Sequence, residues 1–250
     1  MKNLTFLSAL CLFASALFLV SCDDMNLTTG DGSEKVVANG KLAVIEVQPG
    51  AFNQVKLNGV FNVFLIQGEK ESVKMEADEN VLPFILTSVD NAVLTVKMKN
   101  DIAINKMKKI NVYITFVNLS KVSTEGVGML NCADRMTFKE IELDCKGVGA
   151  TRLDLVAEKL TIHSEIVGAM FLKGLVTEVV IDHKGVGAIR AFELKAEKLT
   201  LNSEGIGTAE VYASKELNIH SSGFGGVQYK GDPATKNINT EGLGKVARVD

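Results

Sequence analysis

Ser203-Glu204-Gly205-Ile206-Gly207-Thr208-Ala209-Glu210-Val211 places a Gly-x-Gly bend inside a run of alternating apolar and polar residues. The same phrase returns as TEGVGML (124–130), CKGVGAT (145–151), SEIVGAM (164–170), HKGVGAI (183–189), SSGFGGV (221–227) and TEGLGKV (240–246). The residue between the two glycine positions is Val127, Val148, Val167, Val186, Ile206, Phe224 and Leu243, with spacings of 21, 19, 19, 20, 18 and 19. A fixed period of this length marks a repeat architecture.

The flanking columns define the faces of each unit. Four residues before the first glycine position stand Val122, Leu143, Ile162, Ile181, Leu201, Ile219 and Ile238, a column that faces a core. Two before it stand Thr124, Cys145, Ser164, His183, Ser203, Ser221 and Thr240, which strand alternation puts on the same inward side. One before it, facing outward, stand Glu125, Lys146, Glu165, Lys184 and Glu204, then Ser222 and Glu241. Opposite charges thus oppose each other in five successive units if the units stack in register, each pair worth a few tenths of a kcal/mol.

The pattern predicts an all-β protein. Period-two segments such as KLTIHS, KLTLNS and ELNIHS are separated by glycine bends and polar turns such as YKGDPATK. About 19 residues hold two or three short strands, and stacked coils of that length make a parallel β-solenoid of about seven coils over residues 121–250. The glycines of the bends are Gly126, Gly128, Gly147, Gly149, Gly168, Gly185, Gly187, Gly205, Gly207, Gly223, Gly225, Gly242 and Gly244. They are expected where a Cβ clashes or φ must be positive. Ile166 takes the first position in the third unit.

Residues 36–120 lack the glycine bend but carry five to seven period-two strands, which either form an antiparallel layer or the first irregular coils. Both arrangements close the N-terminal end of the stack. Residues 23–35, DDMNLTTGDGSEK, read as a flexible tether. Residues 1–22 read as an export signal: a short positive start and an apolar run that stops at Leu19-Val20-Ser21-Cys22. That ending resembles the bacterial lipobox, which implies cleavage before Cys22 and lipid attachment there, and so a membrane partner and an envelope, outer-membrane location. Of the remaining cysteines, Cys132 and Cys145 either pair or stay as buried thiols; their different columns favour thiols.

Several chemistries fail. With net charge −3 and no basic run, nucleic-acid binding is not expected. Trp is absent and Tyr numbers three, so a deep aromatic sugar cleft is not expected either. A dinucleotide fingerprint would need glycine at Arg152, Arg190, Glu210 or Gln228, and a calcium roll would need Asp at Leu130, Thr151 or Met170. The three histidines do not fall in one column, so no metal site and no cofactor is assigned. His183, in the inward column, reads as a core histidine.

One outward column remains: Ser123, Asp144, His163, Asp182, Asn202, His220 and Asn239. Stacked at about 4.8 Å, Asp144 and Asp182 stand roughly 9.6 Å apart, near the upper end for inverting glycoside hydrolysis. The plainer account is a solvated polar ladder in which His163 bridges two aspartates, because no aromatic or basic group joins the column and an exposed face perturbs pKa values little.

FNQVKLNGVFNVFLIQG (52–68), VKMEADENVL (73–82), INVYITFVNLSKVSTEGVG (110–128) and the repeated glycine bends, in that order, resemble the head GIN domain family of putative auto-transporter adhesins of Bacteroidetes lipoproteins. The resemblance runs from about Ile45 to Val246. It implies a right-handed, β-helix-like stack, an envelope location and an adhesive role, with no catalytic residues. The expectation is therefore a lipid-anchored, non-enzymatic binding module for a polysaccharide or protein. The rivals are a polysaccharide-cleaving enzyme using Asp144 and Asp182, and a structural spacer.

Overall fold

The computed structural model describes residues 25–32 and 34–250; the leader and Cys22 lie outside the described residues. Sixteen strands make up the described chain, with one 3-10 turn at Leu82–Phe84 and no α-helix. In chain order they are β1 (Met25–Thr28), β2 (Glu34–Val37), β3 (Leu42–Val47), β4 (Gln54–Gln67), β5 (Ser72–Asp78), β6 (Ile85–Asp90), β7 (Val93–Met98), β8 (Ile102–Met107) and β9 (Asn111–Phe116). They continue as β10 (Lys121–Cys132), β11 (Met136–His183), β12 (Val186–Ser203), β13 (Ile206–Ser221), β14 (Phe224–Lys230), β15 (Thr235–Thr240) and β16 (Val246–Arg248).

One 13-stranded sheet contains all but β1, β2 and β8. Its repeat half is parallel, and the register is the one the columns require. Gly126 pairs with Gly147, Gly187 with Gly207, and Gly207 with Gly225. Val122, Leu143, Ile162, Ile181, Leu201 and Ile219 are buried, as the inward column demands. Ile238 departs from that column at 43% exposure, because no further unit covers β15. Of the alternating charges, Lys146–Glu165 (3.5 Å) and Lys184–Glu204 (3.4 Å) form ion pairs, whereas Glu125 accepts a hydrogen bond from Asn58 at 3.3 Å.

The parallel ladder crosses the 120/121 boundary. Strand β4 pairs in parallel with β10 from Gln54↔Lys121 to Leu65↔Cys132, which puts Gly59 beside Gly126 and Val60 beside Val127. The bend column missed this unit because Phe61 stands where the second glycine would be. On its other side β4 pairs with β7 over Gln54–Asn58 and with β9 over Asn62–Gln67, both parallel. The antiparallel pairs β3–β5, β5–β9 and β6–β7 complete this end. Residues 42–116 thus combine parallel pairs continuous with the repeat half and antiparallel pairs.

The stretch read as a tether is not free. Met25–Thr28 pairs with β8 antiparallel and Glu34–Val37 pairs with it in parallel. Met25, Leu27 and Val36 pack against the core that contains Ile102, Ile104 and Met107. Alternating apolar residues in an otherwise polar stretch carry this docking, and composition alone hid them.

The glycine requirement has two parts. Gly207 has φ +142°, and a Cβ there would run into the Gly187 carbonyl oxygen of the unit below. At Gly205 φ is not positive, but a Cβ would meet the Gly185 carbonyl. Ile166 fills the same position with its side chain buried, so that site admits a side chain where the backbone adjusts. We expect Gly207→Val to destabilise by at least about 1–3 kcal/mol, Gly205→Ile by less, and Glu204→Ala by about 0–1 kcal/mol. Chemical denaturation of the three variants checks the order; equal stability of Gly207→Val and the wild type would refute it.

Candidate binding faces

Parallel register turns each column into a continuous face, and three faces carry candidate functional side chains. The first is the predicted acid ladder. Ser123 pairs with Asp144, and Asp182 with Asn202, which in turn pairs with His220. His163 Nδ1 lies 3.1 Å from Asp182 Oδ2, and Asn202 Nδ2 donates to Asp182 Oδ1 at 2.6 Å. Both Asp182 oxygens are therefore engaged, and the His163 and Asp182 side chains stand 46% and 32% exposed. This part of the face is a hydrogen-bonded ladder of His163, Asp182 and Asn202.

The second face was not visible from the columns. The residues between the glycines point outward: Val127, Val148, Val167, Val186, Ile206 and Phe224 are 46–59% exposed, and Leu243 84%. They align because Val186 pairs with Ile206 and Ile206 with Phe224. An in-register apolar stripe beside the Glu/Lys column results. Single exposed valines need no explanation, but a contiguous row does.

The third face is a groove of about 730 Å³ across β10 to β13. Asn131 pairs with Arg152, Phe171 with Arg190, and Arg190 with Glu210, so cations and an aromatic ring alternate along the stack. The Arg152 guanidinium lies 4.8 Å from the Phe171 ring centroid, a cation–π contact that leaves the edge of the fork free. Its other contact is a donation to Met129 Sδ at 3.4 Å. Three neighbouring cations are paired: Arg135 Nε with Asp154 Oδ1 at 2.8 Å, Lys173 with Asp154 Oδ2 at 3.4 Å, and Arg190 with Glu210 at 3.3 Å; the carboxylates of Asp134 and Glu193 also line the groove. Hydrogen bonding from Arg135, with Lys173 adding to it, holds the Asp154 carboxyl below its ordinary value. Among the described residues no carboxylate pairs with Arg152, which makes it the groove's unneutralised cation. Phe192 lines the same groove, with Lys230 5.2 Å from its ring centroid. Counting Trp and Tyr did not point to this groove, whose rings are phenylalanines. The signal lay in the column Asn131, Arg152, Phe171, Arg190.

Residues 51–233 match the family described as "Putative auto-transporter adhesin, head GIN domain". The chain belongs to this family. A crystal structure of a putative adhesin from Bacteroides fragilis NCTC 9343 superposes with TM-score 0.82 at 25% identity, over 86% of this chain and all of the other. A putative lipid binding protein from Parabacteroides distasonis ATCC 8503 gives TM-score 0.69 at 21% identity, over 87% of this chain and all of that one. A putative adhesin from Parabacteroides merdae ATCC 43184 gives 0.63 at 22%, with the same coverage of this chain and all of the other. These last two show the fold alone. No curated protein matches the head GIN chain.

Two buried groups complete the description. Cys132 and Cys145 are free thiols, Cys132 half-buried and Cys145 buried. Burial pushes the Cys145 thiol up to about 11 against hydrogen bonds to Thr124 and Thr151, so it is a poor nucleophile. Cys132 is less buried than its column suggests; its sulfur accepts the Asp154 amide at 3.1 Å. His183 is buried, with Nδ1 3.2 Å from Ser164 Oγ. Among the described residues no cluster of three metal-ligating side chains occurs.

Burial lowers the His183 pKa below its ordinary 6.5. The folded state therefore favours the neutral ring, while the unfolded chain takes up a proton near that ordinary value. The stability this arrangement supports is complete above pH 6.5 and falls as pH drops through that value toward the lower folded pKa. In His183→Ser, which copies Ser203 of the next unit, thermal unfolding should lose less stability between about pH 8 and about pH 5 than in the wild type. Parallel pH profiles for the two proteins would contradict this.

Proposed function

We propose that this head GIN protein is a lipid-anchored, non-enzymatic binding module of the cell envelope, held on the outer membrane through Cys22. Its parallel ladder closes as a right-handed, β-helix-like solenoid of about seven short coils over 121–250, with the sheets of 36–120 closing its N-terminal end. The groove carries the reading. It runs across five successive units, so a ligand lying in it meets Arg152, then Phe171, then Arg190 and Phe192 together. Contacts repeated along a stack suit an extended polymer, because weak interactions add along its length.

The groove's chemistry favours an acidic polysaccharide over a neutral one. Phenylalanine rings offer faces to sugar C–H groups, and the free edge of Arg152 offers two parallel N–H donors to a carboxylate. The family's adhesin description and the adhesin named in the Bacteroides fragilis structure agree with a binding role. The polar ladder of Asp144, His163 and Asp182 gives the enzyme reading less support, since Asp182 is already held from both sides.

Isothermal titration of the full chain with oligogalacturonate and with a neutral glucan fragment tests the proposal. Binding of the acidic oligomer alone is expected. Arg152→Gln should weaken it by roughly tenfold or more, as loss of one charge-assisted hydrogen bond of about 1.5–3 kcal/mol requires. Asp144→Asn and Asp182→Asn should leave it unchanged. Unaltered affinity in Arg152→Gln would move the site elsewhere.

A further inference from the structure

We infer that the apolar stripe is a self-docking face, on which a second copy of this chain packs antiparallel about a two-fold axis perpendicular to the stack. The occupant follows from the charges beside the stripe. Reading along the stack, the flanking column runs Glu125, Lys146, Glu165, Lys184, Glu204. Glu125 pairs in register with Lys146, and ion pairs tie Lys146 to Glu165 and Lys184 to Glu204, so the column is continuous and in step with the stripe.

An alternating column is complementary to its own reverse in one set of registers only. Place the axis between the units of Val167 and Val186. Val167 then meets Val186 of the second copy, Val148 meets Ile206, and Val127 meets Phe224. In the same register Glu165 faces Lys184, Lys146 faces Glu204, and Glu125 faces the uncharged Ser222. A shift of one unit puts the axis on Val167 and makes Glu165 face itself, Lys146 face Lys184 and Glu125 face Glu204. Like charges brought together across an interface cost several kcal/mol. Rotation about the stack axis fares no better. It lays the charged column against Met129, Ala150, Ala169 and Ala188 on the stripe's other flank, which leaves charges buried without partners. Isologous two-fold contact is also the commonest form of self-association.

The size of the face sets the strength. Five steps of about 4.8 Å give a stripe of roughly 24 Å, and the five residues between its flanking columns span about 13 Å, or some 300 Å² in plan. That is about the size of the largest apolar patch an ordinary monomer carries. It falls well below the roughly 800 Å² per partner of a standard complex, so the dimer is weak and reversible. Such a dimer would present two grooves together and raise avidity for a polymer. The inference stands independently of the ligand, because the stripe and the groove are separate faces.

Sedimentation equilibrium of the detergent-solubilised full chain over a concentration series tests it. The mass should rise reversibly toward two protein chains, with association weaker at high salt. Lys184→Glu should weaken association at least tenfold, and Val186→Asp should do the same with the thermal unfolding midpoint of an exposed-site variant. The double variant Glu165→Lys/Lys184→Glu decides the geometry. It breaks both ion pairs within the chain yet restores opposite charges across the axis, so association should recover toward the wild-type value. A monomer at every concentration, or association indifferent to Lys184→Glu, overturns the inference. So does a double variant that stays as weak as the single one.

Discussion

Each unit of the repeat rests on the carbonyl oxygens of the unit before it, at a distance that leaves no room for a side chain. The Gly187 carbonyl oxygen occupies the place a Cβ of Gly207 would take, and the Gly207 carbonyl does the same to Gly225. The backbone ladder at these points keeps neighbouring units in one register, because a one-residue slip would put a substituted residue onto the carbonyl below. Register then aligns everything else. The inward column forms a continuous core from Val122 to Ile219, and each outward column becomes a face with a single chemical character.

This explains why the architecture was legible in the sequence. Period-two alternation set the inward and outward sides, and the recurrence of one bend every 18–21 residues set the neighbours. Where the bend was altered, legibility stopped. Gln54–Leu65 pairs with β10 as a full unit but carries Phe61 in place of the second glycine, so the repeat signal passed over it. Composition misled over Met25–Thr28, since a polar stretch with two well-placed apolar residues docks on β8 despite its average character.

The candidate sites were less legible, for a different reason. Asp144, His163 and Asp182 were found because ionisable residues draw the eye; in the structure Asp182 is held by His163 and Asn202 on a half-exposed face. The groove depends on what lies across the ladder from what. Arg152 and Phe171 are 19 residues apart and meet only because the units stack. Alternation from Glu125 places Val127 and its counterparts outward as well, but their apolar character made that exposure easy to pass over until the units were seen in register. In this chain the repeat supplies a ruler, and the residues placed at its steps set the chemistry of each face.

The most direct test of the stacked, in-register account is a distance measured along it. Spin labels at positions 127 and 224, with Cys132 and Cys145 replaced by Ser, report that distance by pulsed electron resonance. Five parallel steps of about 4.8 Å predict a backbone separation of roughly 24 Å, broadened only by the label arms. A narrow distribution centred there fits the account. A centre beyond about 40 Å, or no defined distance at all, would contradict the stacking on which every face described above depends.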